Sequence, residues 1–370
     1  MKRVHTLGLL AALALTATAV AQTGTTTTTP TAPASTAPRP AASSYIALGN
    51  AYYAKGQFDS AYVAFRAAVE SDPRSSDALL GLGRAQTKLK LYSAAIETLK
   101  RLIQADSRNV SGYIALAQTY VSQYLGTSDR TAVRANLDEA LRILTDAETI
   151  KPDAAGIWNQ RSIVYRLKGD FQRATDTAKR AAELDPNDSV ILYNLGDLYY
   201  ATGNTPLAVE TIQRAVVANP TDAYTRAYYG KLLMIAGKPE AAQLELAQAE
   251  RLAPTNAYAV GQYGVYAYQM KDTVTARAKL SQAIKLDPLR YPEFYFYLGR
   301  IEFDAGQTKE ARSSFTKAAA LGSNNADYFY WLGRAQEASG DRLAARQAYQ
   351  QAVTLNPNLK VAQDGLNRVK

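Results

Sequence analysis

The sequence predicts an all-α solenoid, a stack of antiparallel helix pairs, and three regular spacings support that fold class. Five prolines lie 34 residues apart, at Pro152, Pro186, Pro220, Pro254 and Pro288. Alanines and glycines keep the same spacing, at Ala174, Ala208, Ala242 and Ala276 and at Gly169, Gly203 and Gly237. A fixed period of about 34 residues is typical of stacked two-helix repeats. Such a chain presents an extended binding surface, so we do not expect an enzyme.

These marks extend the array to nine repeats over residues 42–359. We number them in chain order as 42–75, 76–109, 110–154, 155–188, 189–222, 223–256, 257–290, 292–325 and 326–359. Repeat 3 has eleven extra residues, and repeat 8 slips by one residue. Residues 360–370 are predicted to be a short polar tail.

Repeat 5 illustrates the first helix of each pair. Leu192, Leu195 and Tyr199 recur at helical spacing and predict an apolar stripe. Gly196 lies inside this helix, where glycine costs about 1 kcal/mol relative to alanine. We therefore expect the partner helix to approach closely there, with Ala208 as the facing small residue.

The ends of the two helices in repeat 5 are also predicted by residue type. Gly203 suits the left-handed position that follows the first helix. The second helix is expected to end at Asn219-Pro220, because proline lacks an amide donor and restricts the residue before it. Neither helix can bury its apolar stripe alone, so stability depends on the neighbouring repeats.

Every repeat contains parts of one motif, seen in repeat 1 as Leu48-Gly49, Tyr52, Ala61, Phe65, Ala68 and Pro73. This motif resembles that of the tetratricopeptide-repeat (TPR) family over about 42–359. Repeat 4 departs from it at Arg161-Ser162, where Leu-Gly is usual. The resemblance implies a right-handed superhelical solenoid of antiparallel helix pairs.

The first 41 residues differ in kind from the repeats. Lys2-Arg3, an apolar run and Ala19-Val20-Ala21 predict a secretory signal peptide over residues 1–21. An uncleaved N-terminal anchor is the alternative. Residues 22–41 are rich in Thr, Pro and Ala, which predicts a disordered linker, either a spacer from a surface or an unselected tail. We expect an exported protein, in a periplasm or cell envelope or secreted, without a lipid-carrying cysteine.

Composition excludes much catalytic chemistry. The chain has no cysteine, and its one histidine, His5, lies in the predicted signal peptide. Thiol and histidine nucleophile pairs and their metal sites are therefore not expected, and no cofactor is predicted. The net charge of +9 falls to +7 without Lys2 and Arg3. This charge favours acidic partners, but no nucleic-acid motif accompanies it.

The family resemblance implies that first helices line a concave groove, with positions 2, 5, 9 and 12 of each repeat facing inward. The candidate partner-binding residues at these positions are aromatic, basic or amide side chains. They are Asn50, Tyr53, Arg84, Arg166, Tyr193, Tyr200, Tyr224, Lys231, Tyr258, Tyr268, Phe296, Arg300, Phe303, Tyr330 and Arg334. The alternative for any one of them is packing of the inner wall.

Aromatic rings with interspersed arginines suit a protein or peptide partner. Two other functions stay open, namely binding of carbohydrate or a cell-wall polymer, and self-assembly into a homo-oligomer. A clamp for a C-terminal carboxylate is not supported, because Ile46 accompanies Asn50 and Gly81 replaces the second asparagine. The sequence thus predicts a non-enzymatic interaction scaffold, acting in cell-envelope assembly or maintenance.

The insertion in repeat 3, residues 121–131, breaks the regular geometry. Gly126 is expected to end one helix, and Ser128-Asp129 to cap the next. A pair longer than its neighbours would project beyond the stack. It would serve either as a partner contact or as a change in the superhelical path.

Overall fold

The computed structural model describes residues 41–369, which form 19 helices and no strand. The predicted signal peptide and nearly all of the predicted linker lie outside these residues. The first helices of repeats 1 to 9 are α1 (Ala42–Ala54), α3 (Ser76–Lys88), α5 (Val110–Gly126), α7 (Ala155–Leu167), α9 (Ser189–Ala201), α11 (Ala223–Ile235), α13 (Ala257–Gln269), α15 (Pro292–Asp304) and α17 (Ala326–Ala338). The second helices are α2 (Phe58–Ser71), α4 (Tyr92–Ala105), α6 (Ala135–Ile150), α8 (Phe171–Leu184), α10 (Thr205–Ala218), α12 (Pro239–Leu252), α14 (Thr273–Leu286), α16 (Thr308–Leu321) and α18 (Arg342–Leu355), and α19 (Lys360–Arg368) follows.

The helix pairs stack into a superhelical solenoid, which confirms the predicted fold class. Each first helix packs on its second helix and, from α3 onward, on the preceding repeat. First helices of neighbouring repeats also touch, as α11 touches α13 and α13 touches α15. They are crowded on the inner side of the curve, so their exposed side chains line the concave surface.

The helix ends in repeat 5 follow from local chemistry. The Asp188 carboxylate caps α9 by accepting hydrogen bonds from the amides of Val190 and Ile191, at 2.8 and 3.0 Å. Gly203 has a φ of 83°, which confirms its predicted left-handed conformation. Helix α10 ends at Ala218, and Asn219 is its C-cap, directly before the proline.

The close approach predicted at Gly196 is present, and the nearest atoms of the partner helix belong to Ile212. A Cβ atom at Gly196 would lie 2.6 Å from Cδ1 and Cγ1 of Ile212. Ala208, the expected facing residue, is fully buried and lies one turn earlier on α10. Glycine is needed here because a large aliphatic side chain, and not a small one, fills the space beside it.

Residues 360–370 are not only a polar tail, because residues 360–368 form α19 against α18 and α17. Ala362 and Gly365 are buried on one face of this short helix, and Leu366 packs beside Tyr349. The buried positions are few and are spaced three or four residues apart. The segment is therefore an amphipathic helix, although its overall composition is polar. Helix α19 covers the exposed end of repeat 9.

The insertion lengthens α5 to 17 residues and α6 to 16, against 13 and 14 in most other repeats. Gly126 is the last residue of α5, as predicted. Asp129 accepts hydrogen bonds from the amides of Thr131 and Ala132 at 3.0 and 3.4 Å, so it caps the turn before α6 and not α6 itself. Arg134 precedes α6 and makes no side-chain cap.

Among residues 41–369, no helix combines the length and the apolar character that crossing a membrane would require. Within the same residues, no three side chains of the His, Cys, Asp or Glu type are grouped so that they could bind a metal ion.

Candidate functional site

The candidate residues fall into three regions along the concave surface. Asn50, Tyr53 and Arg84 lie in repeats 1 and 2. The middle region, in repeats 4 to 7, contains Arg166, Tyr193, Tyr200, Tyr224, Lys231 and Tyr258. The last region, in repeats 7 to 9, contains Tyr268, Phe296, Arg300, Phe303, Tyr330 and Arg334.

A ladder of tyrosines crosses the middle region. Tyr193 on α9 lies 5.9 Å, between ring centroids, from Tyr224 on α11. Tyr224 stacks on Tyr258 of α13 at 4.5 Å, and Tyr258 lies 5.5 Å from Tyr291 at the start of α15. Tyr258 is only 5% exposed, so it is a packing residue. It has too little exposed surface to act as the predicted groove contact. The ladder joins repeats 5, 6 and 7 to the N-cap of α15 through ring contacts.

Arg166 is engaged within the protein. Its guanidinium forms an ion pair with Asp197 of the next repeat, at 2.8 Å. The hydroxyl of Tyr228 donates to the other oxygen of the same carboxylate, also at 2.8 Å. Burial, reinforced by this carboxylate, raises the pKa of Tyr228, so the phenol stays protonated. Arg166 is therefore neutralised and offers a partner less charge than its sequence position suggests.

A cavity of about 430 Å³ lies beside the ladder. Its wall combines tyrosine rings with amide and charged groups from Tyr200, Lys231, Gln262, Gln269, Glu293, Tyr297 and Tyr328. Burial raises the pKa of the Glu293 carboxyl, and the nearby Lys231 ammonium partly opposes this change. Burial also raises the pKa of Tyr328 to about 12. These groups can donate and accept hydrogen bonds beside aromatic faces.

The last region is an alternation of rings and guanidinium groups, which we call the C-terminal groove (Tyr268, Phe296, Arg300, Phe303, Tyr330, Trp331 and Arg334). The guanidinium carbon of Arg300 lies 3.7 Å from the Trp331 ring centroid. The corresponding carbon of Arg334 lies 5.2 Å from Phe303 and 5.3 Å from Trp331. Cation–π contacts of this kind hold arginine side chains in place.

Among the described residues, neither arginine of the C-terminal groove is directly paired with a carboxylate, although the charge of Arg334 contributes to the lowered pKa of Glu337. Neither Arg300 nor Arg334 forms an ion pair within residues 41–369. Arg334 donates a hydrogen bond to the Tyr330 hydroxyl at 3.1 Å. The Nε atom of Arg300 is buried and has no hydrogen-bond acceptor among the described residues. Both side chains are thus held by ring contacts, and their guanidinium groups, apart from the buried Nε of Arg300, keep capacity to bind an acceptor.

Helix α19 closes one end of the C-terminal groove. Val361, Asp364 and Arg368 of this helix share a cavity of about 480 Å³ with Phe303, Tyr330 and Arg334. Arg368 forms an ion pair with Glu337 at 3.0 Å, and Tyr349 donates to the same carboxylate at 2.5 Å. These bonds lower the pKa of Glu337 and keep it ionised. The contribution of α19 was not predicted, because its residues were assigned to a tail.

In repeats 1 and 2, the structure brings Tyr53 and Arg84 together on the wall of one large cavity. Burial raises the pKa of the Tyr53 hydroxyl, and the positive charge of Arg84 partly offsets this effect. Asn50 is exposed on α1 and does not line this cavity.

Sequence reasoning missed Tyr297, which lines the cavity beside the tyrosine ladder (the central cavity), and Trp331, which belongs to the C-terminal groove. Both occupy position 6 of their repeats, directly after Phe296 and Tyr330. Repeats 1 to 5 have Ala, Gly, Gln or Asn at this position, so the aromatic residue in repeats 8 and 9 was a sequence signal that could have identified them. The residue types of positions 2, 5, 9 and 12 do not contain that information.

The geometry defines a class of protein, an α-solenoid of helix pairs with a concave surface lined by first helices. The family model described as tetratricopeptide repeat matches residues 46–110, 264–326 and 296–359, and a second model with the same description matches 165–232. A thermophilic TPR protein from Thermus thermophilus is 32% identical and superimposes with a TM-score of 0.50, covering 52% of this chain and 100% of its own. The chain belongs to the tetratricopeptide-repeat family, whose fold is of the protein-interaction type.

Other similar proteins share the fold or part of the repeat array. A tetratricopeptide-repeat protein from Parabacteroides merdae has a TM-score of 0.52 at 17% identity, with 68% of this chain and 99% of that chain covered. The BBSome complex member BBS4 of Bos taurus is 29% identical over 153 residues, which is 41% of this chain and 27% of that protein. The peroxisomal targeting signal receptor of Komagataella phaffii is 29% identical over 144 residues, 38% of this chain and 24% of the receptor. The chain thus spans about a quarter of the length of these curated relatives.

Proposed function

We propose that this protein is a non-enzymatic scaffold that binds a segment of another protein in its C-terminal groove. The observation that carries the proposal is the pair of arginines, Arg300 and Arg334, which are held between aromatic rings and form no ion pair among the described residues. Ordered aromatic and arginine side chains lose little conformational entropy on binding and are the residues that dominate protein interfaces. Arginine also binds carboxylates and carbonyl oxygens through several hydrogen bonds.

Two further considerations support a protein partner. The matched relatives include a receptor for a peroxisomal targeting signal and a member of a protein complex, both of which act together with other proteins according to their names. The residues of the C-terminal groove come from α13, α15 and α17, so a partner lying along it would contact three repeats at once.

We also propose that the scaffold acts outside the cytoplasm, in cell-envelope assembly or maintenance or as a secreted protein. The support for this location is the sequence pattern of residues 1–21. The linker pattern of residues 22–41 is consistent with a spacer between the repeats and a surface.

Alanine replacement of Tyr200, Tyr268, Arg300, Phe303 and Arg334 together is expected to abolish partner binding. The matched control replaces Val217, Leu244, Leu343, Arg312 and Lys317, which are exposed on second helices. Both variants and the wild type are expressed in the source cells, crosslinked and recovered, and helical circular dichroism is compared. A partner recovered with the wild type and the control, but not with the groove variant, is the expected result.

Equal recovery of the partner by a folded groove variant would contradict the proposal. The central cavity favours carbohydrate as the second candidate, because Tyr200, Tyr297 and Tyr328 stand beside Gln262 and Gln269. Retention of the purified protein on cell wall without any added protein would favour that function. Mass that grows with concentration in light scattering would favour self-assembly.

A further inference from the structure

A second, larger groove lies on the concave side of the first repeats. Its volume is about 1470 Å³, and α1, α3, α5 and α7 contribute to its wall. Leu289 and Arg290, in the loop between α14 and α15, line the same cavity. The superhelix therefore brings the end of repeat 7 opposite repeats 1 to 4. This volume exceeds the range of about 300–1,000 Å³ that is usual for small-molecule pockets, so it suits a chain segment.

The charge of this groove is entirely positive. Five basic side chains line it, and no Asp or Glu among residues 41–369 does so. They are Arg84, Lys88, Lys90, Arg130 and Arg290. All five are exposed, and none forms an ion pair within the described part of the chain. Because the five like charges repel one another, binding of an anionic segment would offset their repulsion and be favourable.

Two carboxylates close in sequence to Arg130 and Arg290 accept hydrogen bonds from backbone amides. Asp129 accepts hydrogen bonds from the amides of Thr131 and Ala132, and those bonds lower its pKa. Asp287 accepts from the amide of Leu289 at 3.2 Å. They shape the two loops that carry Arg130 and Arg290 without forming ion pairs with the guanidinium groups. The positive charge is thus placed by the fold and left available.

Apolar groups beside the cations identify the class of the anion. Leu125 is 48% exposed and Leu289 is 75% exposed, and both line the groove. A protein segment with acidic and aliphatic side chains matches both features, whereas a sugar–phosphate backbone has no aliphatic side chains to cover the leucines. The first 41 residues of this chain contain no Asp or Glu, so they do not match the charge.

We propose that this N-terminal cationic groove, defined by the five basic residues with Leu125 and Leu289, binds an acidic, leucine-containing segment of a partner protein. It adds to the proposed function a second subsite, separate from the C-terminal groove. The basic residues supply attraction and orientation, and the two leucines supply apolar contact.

The test uses the full chain and a fluorescein-labelled decapeptide of alternating Glu and Leu, with fluorescence anisotropy at low and high NaCl. The wild type is expected to bind this peptide, with an affinity that falls as salt rises. The triple variant Arg84→Gln, Arg130→Gln, Arg290→Gln is expected to bind about tenfold more weakly, since each exposed charge pair contributes up to about 1 kcal/mol. Circular dichroism checks the fold of each variant.

The matched control is Arg312→Gln, Lys317→Gln, Arg346→Gln, which removes the same charge from exposed positions on α16 and α18. It is expected to bind as the wild type does. Equal weakening by both triple variants would show a general charge effect and overturn the proposal. Equal binding of a decapeptide with Gln in place of Glu would also overturn it, as would tighter binding of an oligothymidylate that depends on the same arginines.

The variant with alanine in place of Tyr200, Tyr268, Arg300, Phe303 and Arg334, called here the C-terminal alanine variant, separates this proposal from the proposed function. That variant is expected to keep its affinity for the acidic decapeptide, because its replaced residues do not line the N-terminal cationic groove. Loss of decapeptide binding by the folded C-terminal variant would place the acidic site elsewhere and overturn the inference.

Discussion

The contact between Arg300 and Trp331 is expected to couple repeats 8 and 9. The guanidinium carbon lies 3.7 Å from the ring centroid, and both side chains are half-buried. Cation–π contacts contribute about 0.5–1 kcal/mol at exposed sites and about 2 kcal/mol when desolvated. For this half-buried pair we expect a coupling free energy of about 1 kcal/mol. The two residues lie on α15 and α17, so the coupling is a property of the interface between the repeats.

A double-mutant cycle isolates this coupling from the other contacts of the indole. Trp331 also lies 5.6 Å from Phe303 and 6.0 Å from Phe315, between ring centroids, so Trp331→Leu alone removes more than one interaction. The free energy of unfolding is measured in urea by circular dichroism for the wild type, Arg300→Met, Trp331→Leu and the double variant. The methionine keeps the aliphatic stem while removing the charge.

A control cycle pairs Arg300→Met with Val217→Ala, on the exposed side of α10, and is expected to be additive. If the Arg300–Trp331 coupling lies within about 0.3 kcal/mol of zero, the ring does not hold the guanidinium in place. The reasoning that the C-terminal groove is preorganised would then be refuted.

Two further predictions concern the interface between repeats 7 and 8. Burial raises the pKa of Glu293, so the folded state binds its proton more tightly than the unfolded chain, and stability falls as pH rises above about 4.3. Glu293→Gln is therefore expected to raise the Tm at neutral pH and to change it less in acid; a lower Tm at neutral pH would contradict this. A Cβ atom at Gly261 would lie 2.1 Å from Cζ of the fully buried Phe294. Gly261→Ala is expected to destabilise the protein by about 1–2 kcal/mol in urea unfolding, because overpacking exceeds the gain in helix propensity; Phe294→Leu should reduce that cost, and an unchanged stability would count against the close contact.

Local features were predictable because their causes lie within a few residues. The left-handed turn at Gly203 and the end of α10 before Pro220 both follow from the φ and ψ angles that glycine and proline allow. The close approach at Gly196 was also predictable, since a glycine inside a helix needs a compensating contact. Its partner, Ile212, was not, because two positions one turn apart on α10 satisfy the same pattern.

The groove residues were only partly predictable from the sequence. Family register indicated Arg300, Phe303 and Arg334, and the structure brings them together with Trp331. The same register indicated Tyr258, which is buried in the tyrosine ladder. Register specifies the direction of a side chain from its helix, whereas exposure depends on the neighbouring repeats.

By itself, the sequence determined the repeat period, the helix pairs and the tetratricopeptide-repeat fold, because these depend on spacing and local backbone preference. Only the tertiary structure decided which charges remain available. Arg166 forms an ion pair with Asp197 of the next repeat, while Arg84 and Arg290, about two hundred residues apart, line one groove to which none of the described residues contributes a carboxylate. The superhelical path sets these neighbours, and it accumulates from small rotations at each interface between repeats, which no single repeat specifies.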